Sequence, residues 1–149
     1  MNSKENKKRP PQEIFHSAIG WRLGQEGLAA LKDALERDDP ALLQSTTVSP
    51  DINVCCRHDA CTGACAIGLA LWKGWGLCSV GEVEHQFSKL AVQVDSQLGS
   101  GSCMRWVSWY DEMPRQEMRR VLLPQVLRAL EHECQPADPR GRPVREVQP

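Results

Sequence analysis

"SVGEVEHQFSKLAVQVDSQLG" (residues 79–99) is the stretch whose periodicity decides the fold. Val83, Phe87, Leu90, Val94 and Leu98 recur at steps of three and four residues. That spacing lays apolar side chains along one face of an α-helix. Ser79 and Glu82 stand three apart just ahead of the stripe, as in a capping box, where each side chain satisfies a backbone N–H of the other. Cys78 and Val83 fall where a hydrophobic staple would fix the entering chain, and Gly99 closes the run. This segment has a start, a buried face and a stop.

Working outward, the same period recurs on both sides. Beyond "SGS" (100–102), Trp106, Val107, Trp109 and Tyr110 suggest a short aromatic helix. Pro114 opens a last helix, with Leu123, Leu127, Leu130 and Cys134 along one face. Pro124 lies inside it and is expected to kink it, having no backbone N–H and a ring that clashes with the preceding turn. On the N-terminal side, "DACTGACAIGLALWKG" (59–74) reads as a buried helix closing at Gly74. Further back, Pro11 is a good first helical residue, and Ile14, Ala18, Trp21, Leu28, Leu31 and Leu35 continue the pattern. Gly20, Gly24 and Gly27 interrupt it, each costing up to about 1 kcal/mol of helix propensity. They mark either a break or the close approach of a neighbouring helix. At "RDDP" (37–40) the segment ends, with Asp39 placed to cap a short helix begun by Pro40. No stretch alternates like a strand. The expectation is an all-α fold: a single compact domain of about five or six helices over residues 11–134. Disordered tails are expected over 1–10 and over the Pro/Arg-rich 135–149.

Composition is that of a soluble globular chain, with 41% hydrophobic and 25% charged residues in 149. The net charge of −1 is unevenly spread. Setting aside residues 1–12 and 135–149 leaves eleven basic and sixteen acidic residues in the body. An acidic body is a poor general surface for nucleic acid, whose binding rests on phosphate neutralisation. No apolar run is long enough to span a bilayer, and no secretory signal is visible. With seven cysteines, an odd number, the chain reads as cytoplasmic with reduced thiols and no membrane partner.

Four of those cysteines fall in "DINVCCRHDACTGACAIG" (51–68). Cys55, Cys56, His58, Cys61 and Cys65, with Cys78 further on, are the residue types that ligate zinc or an iron–sulfur cluster. Their spacing lacks two short Cys-x-x-Cys hooks and misses the plant-type cluster pattern by one residue. Free cysteine also packs as a small hydrophobe. On that reading Cys61 and Cys65 join Gly68, Leu69 and Trp72 on one helical face, Cys78 belongs to the staple, and Cys134 to the last apolar stripe. Cys55, Cys56 and His58, in the loop ahead of the helix, have no such explanation. A thiol there, beside His58 and Asp59, is the place for nucleophilic or redox chemistry.

Glu13…His16 and Glu82…His85 have the Glu-x-x-His spacing of dimetal bundles. Both pairs lie roughly 100° and 160° from the residue that starts the local apolar stripe, so they face solvent. "GSGS" (99–102) could present backbone amides to an anion, but it lacks the Lys-Ser/Thr of a phosphate loop. Five of the eight aromatic residues are Trp, a residue favoured where an apolar body meets a polar edge. Trp75 and Trp109 are the candidates for a partly exposed binding surface.

In the tail, Pro139-Arg140-Gly141-Arg142-Pro143 resembles the AT-hook, whose core has the same five residues. The resemblance implies that Arg140 and Arg142 would enter the narrow minor groove of A·T-rich DNA, where negative potential is concentrated.

No general acid–base pair, phosphate loop or nucleophile–base arrangement stands out, so binding is expected in preference to catalysis. The expected function is a protein–protein interaction or regulatory module without a cofactor. The alternatives are a metal-binding (zinc or iron–sulfur) or thiol-redox protein using residues 55–78, and a DNA-associated protein using the tail.

Overall fold

The computed structural model describes residues 9–133. Cys134, both predicted tails beyond these bounds and the AT-hook-like segment lie outside the described residues. Helix α1 (Pro11–Ile14) passes through a π-helical turn (Phe15–Ile19) into α2 (Gly20–Arg37). Strands β1 (Val48–Ser49) and β2 (Gly63–Ala64) form a small antiparallel pair, with Val48 opposite Ala64. Helix α3 (Ala66–Leu69) continues through a π-helical turn (Ala70–Gly74). It is followed by α4 (Val80–Leu98), α5 (Ser102–Glu112), a 3-10 turn (Arg115–Glu117) and α6 (Met118–Glu133). The fold is mostly helical, and no described helix is long and apolar enough to cross a membrane.

Helix α4 has the cap and the buried stripe its sequence predicts but not the staple, since Cys78 is exposed and its Sγ turns to Gly76 O. The Ser79 hydroxyl accepts from the Glu82 N–H at 3.2 Å. Glu82 Oε1 accepts in return from the N–H groups of Ser79 at 3.3 Å and Cys78 at 2.9 Å. Val83, Phe87, Leu90, Val94 and Leu98 are all buried. At the other end, Asp95 reaches past the GSGS turn and accepts from the Gly101 and Cys103 N–H groups at 3.1 and 2.9 Å. The amides offered by that turn therefore meet an anion from within the chain, one that caps α5.

The glycines of the first helix do both things that a glycine permits. Gly24 takes φ 75°, ψ 174° and breaks the helical path. Gly27 sits at a tight seam, where its own Cβ would lie 3.4 Å from Ala70 Cβ and a Cβ on the facing Gly74 would lie 2.5 Å from Gly27 Cα and 2.6 Å from Glu26 O. At this crossing α2 and the turn after α3 touch backbone to backbone.

Two sequence expectations give way here. The helix expected over 59–74 begins only at Ala66, because the preceding backbone is committed elsewhere. Thr62 N–H donates to Ser49 O at 2.8 Å, Ala64 N–H to Ala41 O at 2.9 Å, and Cys65 N–H to Thr47 O at 3.1 Å. Pro40 starts no helix either; Asp39 Oδ1 accepts from the Ala41 N–H at 2.9 Å, closing a local turn.

One hydrophobic cluster runs through the described residues. At its centre Phe15, Trp106 and Tyr110 are fully buried. Trp106 stacks on Phe15 at 5.6 Å and on Tyr110 at 5.5 Å between ring centroids, the offset arrangement that aromatic quadrupoles favour. Helix α6 docks through Met118, Leu122, Val126 and Ala129, a face turned from the expected Leu123–Leu127–Leu130 row. The seat of Ala129 explains the rotation: a Cβ on Gly20 would lie 3.1 Å from Ala129 Cβ, so only a small residue fits there. Leu123 and Leu130 are left half-buried and Leu127 exposed. Pro124 sits exposed within α6, and the helix runs through it.

Polar side chains stitch the irregular segment 38–47 to the far end of α5. The Tyr110 hydroxyl donates to Leu43 O at 2.6 Å. Gln44 Nε2 donates to Tyr110 O at 2.8 Å and Met113 O at 2.7 Å. Arg115 donates to Leu42 O and, at 3.0 Å, to Asp39 O.

Two outcomes follow. Gly74→Ala is expected to cost about 2 kcal/mol or more, because overpacking against backbone cannot relax by side-chain rotation. Gly76→Ala, with φ +76° but open space around it, is expected to cost about 1 kcal/mol from conformation alone. Urea unfolding of both variants separates the two effects. Alkaline pH provides the second test. Burial pushes the Cys65 thiol up to about 11 and the Cys103 thiol up to about 12, from an ordinary value of 9.0. Between pH 9 and 11 the unfolded thiols lose protons that the folded ones keep, so stability falls as pH rises, by about 1.4 kcal/mol per pH unit per thiol. Urea midpoints are expected to drop across this window and to drop less in Cys103→Ala.

Candidate functional site

The six candidate ligands do not share one environment. Cys65 is the N-cap of α3; its Sγ accepts from the Gly68 N–H at 3.4 Å inside the core. It does not share a helical face with Cys61, since no helix has begun at Cys61. Cys61 is buried on the segment that leads into β2, and its N–H donates to Cys78 O at 3.3 Å. Cys78 is exposed, with Sγ donating to Gly76 O at 3.6 Å. Cys55 is half-buried and its Sγ donates to Pro50 O at 3.8 Å. Cys56 and His58 are exposed. Asp59 holds their loop closed: its carboxylate accepts from the Cys56 N–H at 3.1 Å, and its own N–H donates to Cys56 O at 3.0 Å.

The structure thus separates Cys65, in the core, from Cys61 and Cys78, which meet through their backbones. Among the described residues no group of three or more His, Cys, Asp or Glu side chains is arranged to hold a metal ion. Cys55 and Cys61 are not activated either. Desolvation raises Cys55, with Asp59 adding to it. Desolvation likewise raises Cys61, and the charges of Cys78 and Glu82 add to that. A nucleophilic thiol needs the opposite shift.

The Glu-x-x-His pairs point outward as expected for Glu13, Glu82 and His85, all exposed. His16 is half-buried and meets the His132 ring edge-on at 5.9 Å between centroids. His85 and His58 share a cleft of about 260 Å³ with Arg57, Ser79 and Glu82. The Glu82 carboxylate is held below the usual range by the N–H groups of Cys78 and Ser79, so it serves the helix cap.

A second cleft, of about 380 Å³, lies where α5 meets α6. Its walls are Trp109, Met113, Pro114 and Val121, with the carboxylates of Glu112 and Glu117 beside them. Trp109 is half-buried and leans on Trp106 at 6.0 Å between ring centroids. The Gln44 bonds to Tyr110 O and Met113 O fix the chain at this corner. Glu117 is paired with Arg120, while Glu112 is exposed. Trp75, the other candidate, is 43% exposed. Its indole N–H is anchored on Leu23 O at 2.8 Å, beside the break at Gly24.

Sequence reasoning found Trp109 but not its neighbours. Met113, Pro114 and Val121 meet it through the turn after α5, which no periodicity encodes. Pro114, as the stop between two helical runs, was the available signal.

No protein-family model, curated protein or solved structure matches this chain.

Proposed function

We propose that this protein is an interaction module that acts by binding another protein, and that the Trp109 cleft receives the partner. The cleft at the junction of α5 and α6 carries this reading. It is lined by apolar Trp109, Met113, Pro114 and Val121 together with the acidic residues Glu112 and Glu117. Trp in a partly desolvated pocket is the usual centre of a binding hot spot, and carboxylates at the rim select for the opposite charge. The fitting partner is a peptide segment with one large apolar side chain flanked by Lys or Arg. Trp75, tied to Leu23 O, is read as a structural residue with an exposed edge.

The experiment is a fluorescence-polarisation screen of short peptides that share an apolar anchor and differ in flanking charge. Basic-flanked peptides are expected to bind, and acidic-flanked ones not. Trp109→Ala is expected to weaken binding roughly tenfold or more. Glu112→Lys, which leaves the apolar lining in place, is expected to weaken it and to reduce its salt dependence. Loss of binding in Trp75→Ala with Trp109→Ala unaffected would move the site elsewhere. A preference for acidic flanks would overturn the charge argument.

A further inference from the structure

Residues 59–61 and 78–80 run antiparallel. Val80 N–H donates to Asp59 O at 2.9 Å and Cys61 N–H to Cys78 O at 3.3 Å, with Ala60 bridged to Ser79. This register sets Cys61 opposite Cys78. In this hydrogen-bonded kind of opposed position the Cα atoms lie about 5.5 Å apart and the Cβ atoms, on the same side, at the wide end of about 4.5–5.5 Å. A disulfide accepts Cα separations of about 4.4–6.8 Å and takes Cβ atoms about 3.5–4.5 Å apart, so closure draws the two segments slightly together. The return bond of the pair is not made, because the Cys78 N–H turns to Glu82 Oε1 at 2.9 Å. One partner is reachable and the other sheltered, since Cys78 is exposed and Cys61 only 8% exposed. The space beside Gly76, whose carbonyl now accepts from Cys78 Sγ, is open.

We infer that Cys61 and Cys78 form an oxidisable dithiol, a modification site at which a diffusible low-molecular-weight disulfide converts the pair to an intramolecular bridge. The Cys78 thiolate attacks one sulfur of the small disulfide, forming a mixed disulfide and releasing one small thiolate. Cys61, after giving its proton to solvent, attacks the Cys78 sulfur and releases the second small thiolate. The protein loses two electrons and two protons; the small disulfide gains both and leaves as two thiols. The bridge fastens the loop bearing Arg57 and His58 to the start of α4. This inference is independent of the Trp109 cleft.

The test incubates the reduced full-length chain with oxidised glutathione, then alkylates it and maps the peptides without reduction. The expected product is a linked Cys61–Cys78 peptide with no glutathione retained, and a melting temperature raised by roughly 5 °C. Cys78→Ser, an exposed substitution checked by circular dichroism, is expected to abolish the bridge. Cys61→Ser is expected to trap glutathione on Cys78, whereas Cys55→Ser and Cys56→Ser leave the bridge intact. A bridge that uses Cys55 or Cys56 in place of either partner would overturn the inference. So would a stable glutathione adduct on Cys78 of the unmutated chain, or no reaction under conditions where the urea-unfolded chain reacts.

Discussion

The contact on which the rest of this structure depends is the one between two glycines, Gly27 and Gly74. A single added carbon at Gly74 would sit 2.5 Å from Gly27 Cα, well inside contact distance, so α2 can meet the turn after α3 only if the side chain at 74 is absent. That approach lets Ala70 pack over Gly27 at the same seam, where a Cβ on Gly27 would lie 3.4 Å from Ala70 Cβ. Leu23, Leu28, Leu69 and Leu71 are all fully buried around it. Interiors at crystal-like packing density transmit such a constraint. The break at Gly24 belongs to the same arrangement, since it redirects the helix just before the crossing.

A second layer of order is polar. The segment between α2 and β1 has little regular structure, yet Tyr110, Asp111 and Arg115 reach its Leu43 O, Ser45 N–H, Leu42 O and Asp39 O, and Gln44 reaches out from it to Tyr110 O and Met113 O. Buried backbone groups must find partners, and here backbone bonds such as Leu43 N–H to Ala64 O are joined by side chains from a region more than sixty residues away. The corner so fixed is also the wall of the Trp109 cleft. Structure and candidate site are therefore built from one set of hydrogen bonds.

What the sequence revealed follows the range of the interactions. The cap and apolar stripe of helix α4 could be read because each of their determinants, from Ser79 to Leu98, is local. The Pro11 start and the aromatic helix were legible for the same reason. The face of α6 was not: Leu123, Leu127 and Leu130 are as apolar as Leu122 and Val126, and only the small seat at Gly20 decides between them. The 59–74 run misled because Ala, Cys and Leu suit a helix, while the partners that extend its first half, Ala41, Thr47 and Ser49, are remote in sequence. The cysteine stretch divided at a different point from the one its spacing suggested. Cys65 went to the core as a helix cap, and Cys61 was left facing Cys78 across a pairing that no motif announces.

The Asp95 cap has a consequence of another kind. It joins residues only eight positions apart, Asp95 and Cys103, whereas the glycine seam joins residues 27 and 74. By loop-closure entropy the longer link is harder to make by about 1.6 kcal/mol, before any packing reward. The corner between α4 and α5 is thus a short-range unit whose geometry does not wait on the seam. The molecule combines one part that is nearly self-sufficient in its turn chemistry with another that exists only once distant halves of the chain have met.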